Sequence, residues 1–341
     1  MAGYQKKYLP IFFCVAVALG IFIGSTLNYS SNPTNLLGGN AKKEKLNRLI
    51  DYIDYEYVDP INTDSIVEVT VNGILENLDP HSVYIPPSEL QEVSESMKGD
   101  FVGIGISFYN FNDTIAVIQA IPGGPSEKAG IRGGDRIVAA DDQSLTGADV
   151  LDDSITNQLK GQINTKVALK VKRPGVDGLL DFKVTRSVVP LKSVDASYMA
   201  TDTLGYIKIN RFAESTPEEF EKALLSLKRK GARQLVLDLR GNPGGYISAA
   251  EQIADQFLKE DQLILFTKNK TGKIENAYAT DEGNFESGKL YVLINENSAS
   301  ASEIVAGAIQ DNDRGVIVGR RSFGKGLVQR EMQLGDGSAV R

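Results

Sequence analysis

The sequence contains no tryptophan, one cysteine (Cys14) and one histidine (His81) among its 341 residues. Each scarcity removes a class of chemistry. A disulfide needs two cysteines, a zinc site built from His and Cys needs several such ligands, and a Ser-His-Asp site would have to use His81 alone. Positive charge is short as well: 37 Lys and Arg stand against 44 Asp and Glu, leaving a net charge of −7. A chain without a net positive field lacks the footprint of a nucleic-acid binder.

What is present describes a folded protein. Hydrophobic residues make up 42% and charged residues 24% of a length that accommodates two or three domains. The 33 glycines fit a protein with many tight turns, and hence with sheet. One long apolar run stands apart: residues 8–27 carry no charge and follow Lys6 and Lys7. That is long enough to span a bilayer as a helix, with the lysines inside. Two fates are open, a retained inner-membrane anchor with the soluble part exported, or a cleaved signal that leaves a periplasmic protein. The length of the run and the lack of an A-x-A site after it favour the anchor. Residues 28–41 are uncharged and rich in Asn, Ser and Gly, as a linker is.

Beyond the linker the pattern divides into three. Residues 42–98 are expected to be helical: Leu46, Leu49, Ile50, Ile53 and Tyr57 recur at helical spacing, and a second helix is expected over residues 64–78. His81 follows in a turn-like stretch and reads as a residue that ties the turn down. Residues 99–187 break into short strands with two helices, the size of a small binding module. Residues 188–341 alternate strands and helices, which argues for an α/β sheet domain.

Three constellations could carry chemistry. Gly319-Arg-Arg-Ser-Phe-Gly-Lys325 matches the start of a phosphate-binding loop, but Gly326 replaces the hydroxyl that holds Mg²⁺ and no helix start follows. Ser322-Phe-Gly-Lys325 and Lys270-Thr-Gly272 match fragments of penicillin-binding enzymes in the wrong order. The third is Asn297-Ser-Ala-Ser-Ala-Ser-Glu303 between a predicted strand and a predicted helix. Ser300 at a helix start sits beside unpaired backbone N–H groups that could stabilise an oxyanion. The same residues also describe a capping box with Glu303, so from spacing alone Ser300 is either nucleophile or cap. Lys325 has uncharged neighbours that would allow burial and a lowered pKa, and Gln329 falls on its face if the segment is extended.

Ser298-Ala-Ser-Ala-Ser-Glu303, Phe323-Gly-Lys-Gly326 with Gln329, and Leu237-Asp-Leu-Arg-Gly-Asn-Pro-Gly-Gly245 together resemble the carboxyl-terminal processing peptidases, or tail-specific proteases, in order and in spacing. The resemblance covers residues 42–341. It implies a mixed α/β fold: a crotonase-like or Clp-protease-like catalytic core at 188–341, an inserted PDZ-like domain at 99–187 and a helical N-terminal region at 42–98. It further implies Ser300 as nucleophile, Lys325 as general base and Gln329 as the residue that positions the lysine. The oxyanion hole would use backbone N–H groups of Ala301 and of a glycine in the Gly244-Gly245 turn, with Gly245 favoured. In the PDZ-like unit, Phe101, Val102, Gly103, Ile104 and Gly105 correspond to the loop that holds a substrate's C-terminal carboxylate. The expected activity is a serine endopeptidase acting on exported polypeptides with exposed C-termini, without metal, nucleotide or other cofactor. A homo-oligomer or an adaptor protein is open as a further partner, and the competing class is a non-hydrolytic PDZ peptide-binding adaptor. The family pattern continues past the region of Gly335 to Arg341, so the core is expected to be truncated here.

Overall fold

The computed structural model describes residues 14–19, 41–111, 114–141, 143–147 and 152–341. It divides into two units, Met1–Tyr84 and Ile85–Arg341. Of the apolar run, residues 14–19 are helical and the remainder lies outside the described residues. Among the described residues no helix is long and apolar enough to cross a membrane.

The first unit contains helices α1 (Ala41–Glu56) and α2 (Thr63–Leu75). Asn62 caps α2 by accepting from the Ser65 N–H at 3.3 Å. On α1 the expected apolar stripe is only half covered: Ile50 and Ile53 are partly buried, whereas Leu46 and Leu49 are exposed. His81 lies in a turn organised by Asp79, which accepts its N–H at 2.8 Å and the Ser82 hydroxyl at 3.0 Å.

The second unit begins after strand β1 (Tyr84–Ile85) with helix α3 (Pro87–Lys98), which buries no residue fully. Strand β2 (Asp100–Gly103) then pairs antiparallel with β9 (Ser187–Pro190), closing the ends of the strand-rich module. Within it, β3 (Ile106–Asn110), β4 (Ile115–Ala120), β5 (Arg136–Ala140), β7 (Lys166–Lys172) and β8 (Leu180–Thr185) form an antiparallel sheet in that order, with β6 (Gln143–Ser144) on β5. β7 alternates exposed Lys or Ala with buried Val167, Leu169 and Val171, the period-two pattern of a half-buried strand. Two helices, α4 (Pro125–Ala129) and α5 (Asp152–Leu159), complete the module. Its core includes Ile104, Ile115, Ile137, Ile155 and Leu159.

The remaining chain builds a five-stranded sheet in the order β10 (Val194–Met199), β11 (Leu204–Ile209), β12 (Gln234–Asp238), β15 (Lys289–Ile294) and β16 (Val316–Gly319). β10 is antiparallel to β11, and the other four strands run parallel. Parallel neighbours need crossovers. These are α6 (Thr216–Arg229), α7 (Ile247–Asp255) and α8 (Ala301–Asp311). A hairpin of β13 (Leu263–Lys268) and β14 (Ile274–Tyr278) follows α7, and β17 (Met332–Gln333) pairs with β18 (Ala339–Val340). Phe212, Phe220, Phe257, Leu237, Val292 and Ile309 are wholly buried between sheet and helices. The molecule is therefore a mixed α/β protein with a strand-rich module ahead of a mostly parallel sheet. Ligands of such sheets sit beyond the carboxyl ends of the parallel strands.

Candidate active site

The chain leaves the four parallel strands at residues 210, 239, 295 and 320, and the segments that follow are bonded together. Asn242 is the knot. It is fully buried; its Nδ2 donates to the Ile209 carbonyl at 3.0 Å and its Oδ1 accepts the Gly244 N–H at 2.9 Å. Its own carbonyl accepts the Ala299 N–H at 3.0 Å and the Ser302 hydroxyl at 3.0 Å. Ser298 adds a second tie, donating its hydroxyl to the Leu239 carbonyl at 2.8 Å. The loop after β12 and the loop before α8 are thus one rigid piece.

Ser300 stands at the N-cap of α8 with φ 54° and ψ −112°, in the left-handed region that a non-glycine residue seldom occupies. Such a conformation costs about 1–3 kcal/mol and persists where the surroundings enforce it, as at the turns that present nucleophiles. The enforcement is visible. Glu303 accepts the Ser300 N–H at 2.8 Å, as in a capping box, while the Glu303 N–H donates to the Ser300 carbonyl at 2.8 Å. Across the gap Gly244 packs so closely that a Cβ there would lie 2.8 Å from the Ser300 Cβ and 3.0 Å from the Ala301 nitrogen. The capping reading of the sequence is seen in the structure, with Glu303 accepting the backbone N–H of Ser300.

Glu303 also organises the segment that carries Lys325. Its Oε1 accepts the Ser322 hydroxyl at 2.7 Å and the Gly324 N–H at 2.7 Å, and its Oε2 accepts the Lys325 N–H at 2.9 Å. Burial alone would push this carboxyl up, but the donors from Ser322, Lys325, Ser300 and Gly324 outweigh it and hold the pKa below the usual range. One carboxylate thus fixes the backbone of both Ser300 and Lys325. The Lys325 Nζ donates to Gln329 Oε1 at 2.5 Å, so the two residues that sequence spacing put on one face meet. Burial depresses the Lys325 pKa, and the nearby Arg341 charge depresses it further. Ser300, Lys325, Gln329, Gly244 and Gly245 line one cavity of about 670 Å³.

The two glycines of the turn differ in what their N–H groups do. That of Gly244 is bound to Asn242, whereas those of Gly245 and Ala301 have no acceptor among the described residues. Gly245 has φ 148°, and a Cβ there would lie 2.1 Å from the Phe212 carbonyl oxygen. Only glycine fits. Phe212 holds this turn by donating to the Gly244 carbonyl at 2.9 Å and accepting the Tyr246 N–H at 2.8 Å.

Beside the turn lies a polar cluster that the sequence did not disclose. Asp238, 1% exposed, takes Arg240 on both oxygens at 2.6–3.1 Å and the Tyr206 hydroxyl at 2.6 Å. Burial pushes the Asp238 carboxyl up, and the Arg240 and Tyr206 bonds more than reverse this. Burial and the Asp238 bond push Tyr206 up to about 12.

The five residues read as a carboxylate loop divide in two. Phe101, Val102 and Gly103 belong to β2, paired with β9, and Gly103 also bridges to Lys160. Ile104 is buried, and Gly105, at φ 71°, turns the chain into β3. β3 is the outer strand of its sheet, with one edge unpaired among the described residues. The phosphate-loop reading fails here, because residues 321–331 form no helix whose N-terminus could face a phosphate. Ser322, the serine of the penicillin-binding motif, is bound to Glu303.

Two family models match this chain: PDZ domain over residues 102–184 and Peptidase family S41 over residues 203–341. The carboxy-terminal processing protease CtpB of Bacillus subtilis is 34% identical over 304 residues, covering 87% of this chain and 62% of the relative. CtpA of the same organism is 32% identical, covering 99% and 72%. The solved photosystem II D1 C-terminal processing protease aligns at 28% identity and a TM-score of 0.47, covering 89% of this chain and 80% of that one. The chain belongs to the carboxy-terminal processing proteases of family S41. It spans about two thirds of the length of these curated relatives.

Proposed function

We propose that this chain is a serine endopeptidase that cleaves polypeptides near their C-termini through Ser300 and Lys325. The observation that carries the reading is Ser300, held at φ 54° on a helix N-terminus, opening on the same cavity as a lysine whose pKa is depressed. Neutral Lys325 takes the proton from Ser300 Oγ as the oxygen attacks the scissile carbonyl carbon. The developing oxyanion is stabilised by the Gly245 and Ala301 N–H groups and the positive end of α8. The Lys325 ammonium then returns its proton to the departing amine, leaving an acyl-enzyme. Water attacks that ester with Lys325 again as base, and the acid product leaves. Gln329 aims the amine. No histidine is needed, which suits a chain whose single His81 lies in a turn ordered by Asp79.

The strand-rich module is assigned the substrate's tail. An extended peptide can add to the free edge of β3, its terminal carboxylate held by backbone N–H groups of the Ile104–Gly105 turn, the part of the Phe101 to Gly105 segment that β2 leaves outside its pairing with β9. The apolar run at residues 8–27 supports an exported protein, anchored at the inner membrane or released into the periplasm.

The test is a peptide-cleavage assay on the full chain. Ser300→Ala and Lys325→Ala are each expected to abolish turnover while the circular-dichroism spectrum stays that of the parent. Parental turnover in either variant would refute the dyad.

A further inference from the structure

Among the described residues, three cations line the catalytic cavity: Lys325, Arg341 and Arg211. Two are accounted for by polar neighbours. Lys325 is held on Gln329, and Arg341 pairs with Glu331 at 3.1 Å. Arg211 is different. Its guanidinium makes one hydrogen bond, from Nη2 to the Lys192 carbonyl at 3.2 Å, and no carboxylate pairs with it among the described residues. Its Nε is buried without a hydrogen-bond partner.

A partly buried guanidinium that lines a cavity without a carboxylate partner leaves a charge for a ligand to neutralise. The two-sided fork of a guanidinium is matched best by a carboxylate, which can take two donors at once. Arg211 lines the same cavity as Ser300. The next residue, Phe212, is bonded to both sides of the turn that presents the Gly245 N–H, and a parallel bridge pairs Phe212 with Gly245. Side chains flanking a carbonyl attacked by Ser300 must occupy the cavity that Arg211 lines.

We propose that Arg211 is a specificity-determining residue that binds a carboxylate of the substrate in the cleavage cavity. This deepens the peptidase reading and rests on it. Two sources share the chemistry: an Asp or Glu side chain next to the scissile bond, and the α-carboxylate of a tail that ends within a few residues of it. Charge and fork geometry both distinguish this site from an apolar specificity pocket. The bond from Nη2 to the Lys192 carbonyl fixes the guanidinium from one side and leaves Nη1 and the second Nη2 hydrogen to the ligand.

The experiment measures kcat/KM of the full chain on a matched peptide set. One peptide is neutral and amidated at its C-terminus, a second is amidated with Glu beside the cleavage point, and a third is neutral with a free carboxylate close after it. The parent is expected to favour the second or third peptide over the first by about 10-fold or more, as for a hydrogen bond to a charged group. Arg211→Gln should collapse that ratio, mainly through KM, and the peptide whose advantage disappears identifies the source. Arg211→Glu should transfer the preference to a peptide with Lys in place of Glu. Should Arg211→Gln unfold, Arg211→Lys carries the test, retaining the charge without the fork and reducing the ratio. An unchanged ratio in a folded variant, or an equal loss on all three peptides, overturns the proposal while leaving the peptidase intact. A parent that cleaves no peptide of any kind overturns the peptidase reading itself, and this one with it.

Discussion

At the scale of single residues the site turns on Glu303, whose carboxylate accepts the backbone N–H groups of Ser300, Gly324 and Lys325 and the hydroxyl of Ser322. Removing it leaves donors without an acceptor on both halves of the dyad. Hydrogen bonds to a charged group are worth about 1.5–3 kcal/mol each. Glu303→Ala is therefore expected to lower kcat by about 10-fold or more, with a lower thermal midpoint, whereas Glu303→Gln should retain part of both. Equal kcat in Glu303→Ala and the parent would disprove this role. The pH profile follows from the base role proposed for Lys325, which requires the neutral amine. Burial and Arg341 lower its pKa, so kcat/KM should rise with pH through a limb lying below the titration range of an exposed lysine. A limb at the ordinary lysine position would contradict the burial argument. Asp238 has the opposite consequence for stability. Its folded pKa is depressed below the unfolded value of about 3.9, so its contribution is present above that value and lost as pH falls through the folded pKa. Asp238→Asn should destabilise the protein at neutral pH and lose the parent's extra sensitivity to acid below about pH 4, as urea midpoints across pH would reveal.

At the scale of elements, the ends of four parallel strands are pulled together by Asn242 and by two close-packed glycines. Asn242→Ala strands the Gly244 N–H and the Ile209 carbonyl, each at about 1–3 kcal/mol when buried. The expected result is a lower denaturation midpoint and slower turnover; an unchanged midpoint would mean that the knot is not tight. How far the sequence disclosed this depends on the element. Ser300, Lys325 and Gln329 were singled out by the resemblance of their motifs, since spacing alone left Ser300 as nucleophile or cap; folding brings the three to one cavity. Phe101 to Phe108 alternates glycine and apolar residues, but that alternation does not mark the turn at Ile104 and Gly105, where the chain is buried and φ is positive. α3 falls within residues 42–98, expected to be helical, but its bounds were not marked: its sequence is polar and it buries nothing fully, so it has no apolar period. The β13 and β14 hairpin leaves Phe266, Ile274 and Tyr278 exposed, and nothing in its pattern separates core from solvent. The bonds of Asn242, which stands in the Leu237 to Gly245 motif, and of Arg211 were hidden for a different reason. Their partners, Ile209 and Lys192, lie 33 and 19 residues away, and only folding brings them together.

At the scale of the molecule, the family models join a PDZ domain to an S41 peptidase domain in one chain, and the proposed tail binding makes the two cooperate. Delivery through the β3 edge predicts that a competing peptide with a free C-terminus slows cleavage of a full-length unfolded substrate, and that its C-terminal amide does so much less. Equal competition by acid and amide would place the tail elsewhere. The scarcity of histidine and cysteine has become informative at this scale too: the reaction assigned here runs on a hydroxyl, an amine and backbone N–H groups. The most direct test of that account is covalent labelling by a fluorophosphonate, followed by intact-protein mass and peptide mapping. The account predicts a single adduct on Ser300, formed about 100-fold or more slowly in Lys325→Ala, the range expected for losing a general base. An adduct on another residue, or parental labelling of Ser300 in Lys325→Ala, would contradict it.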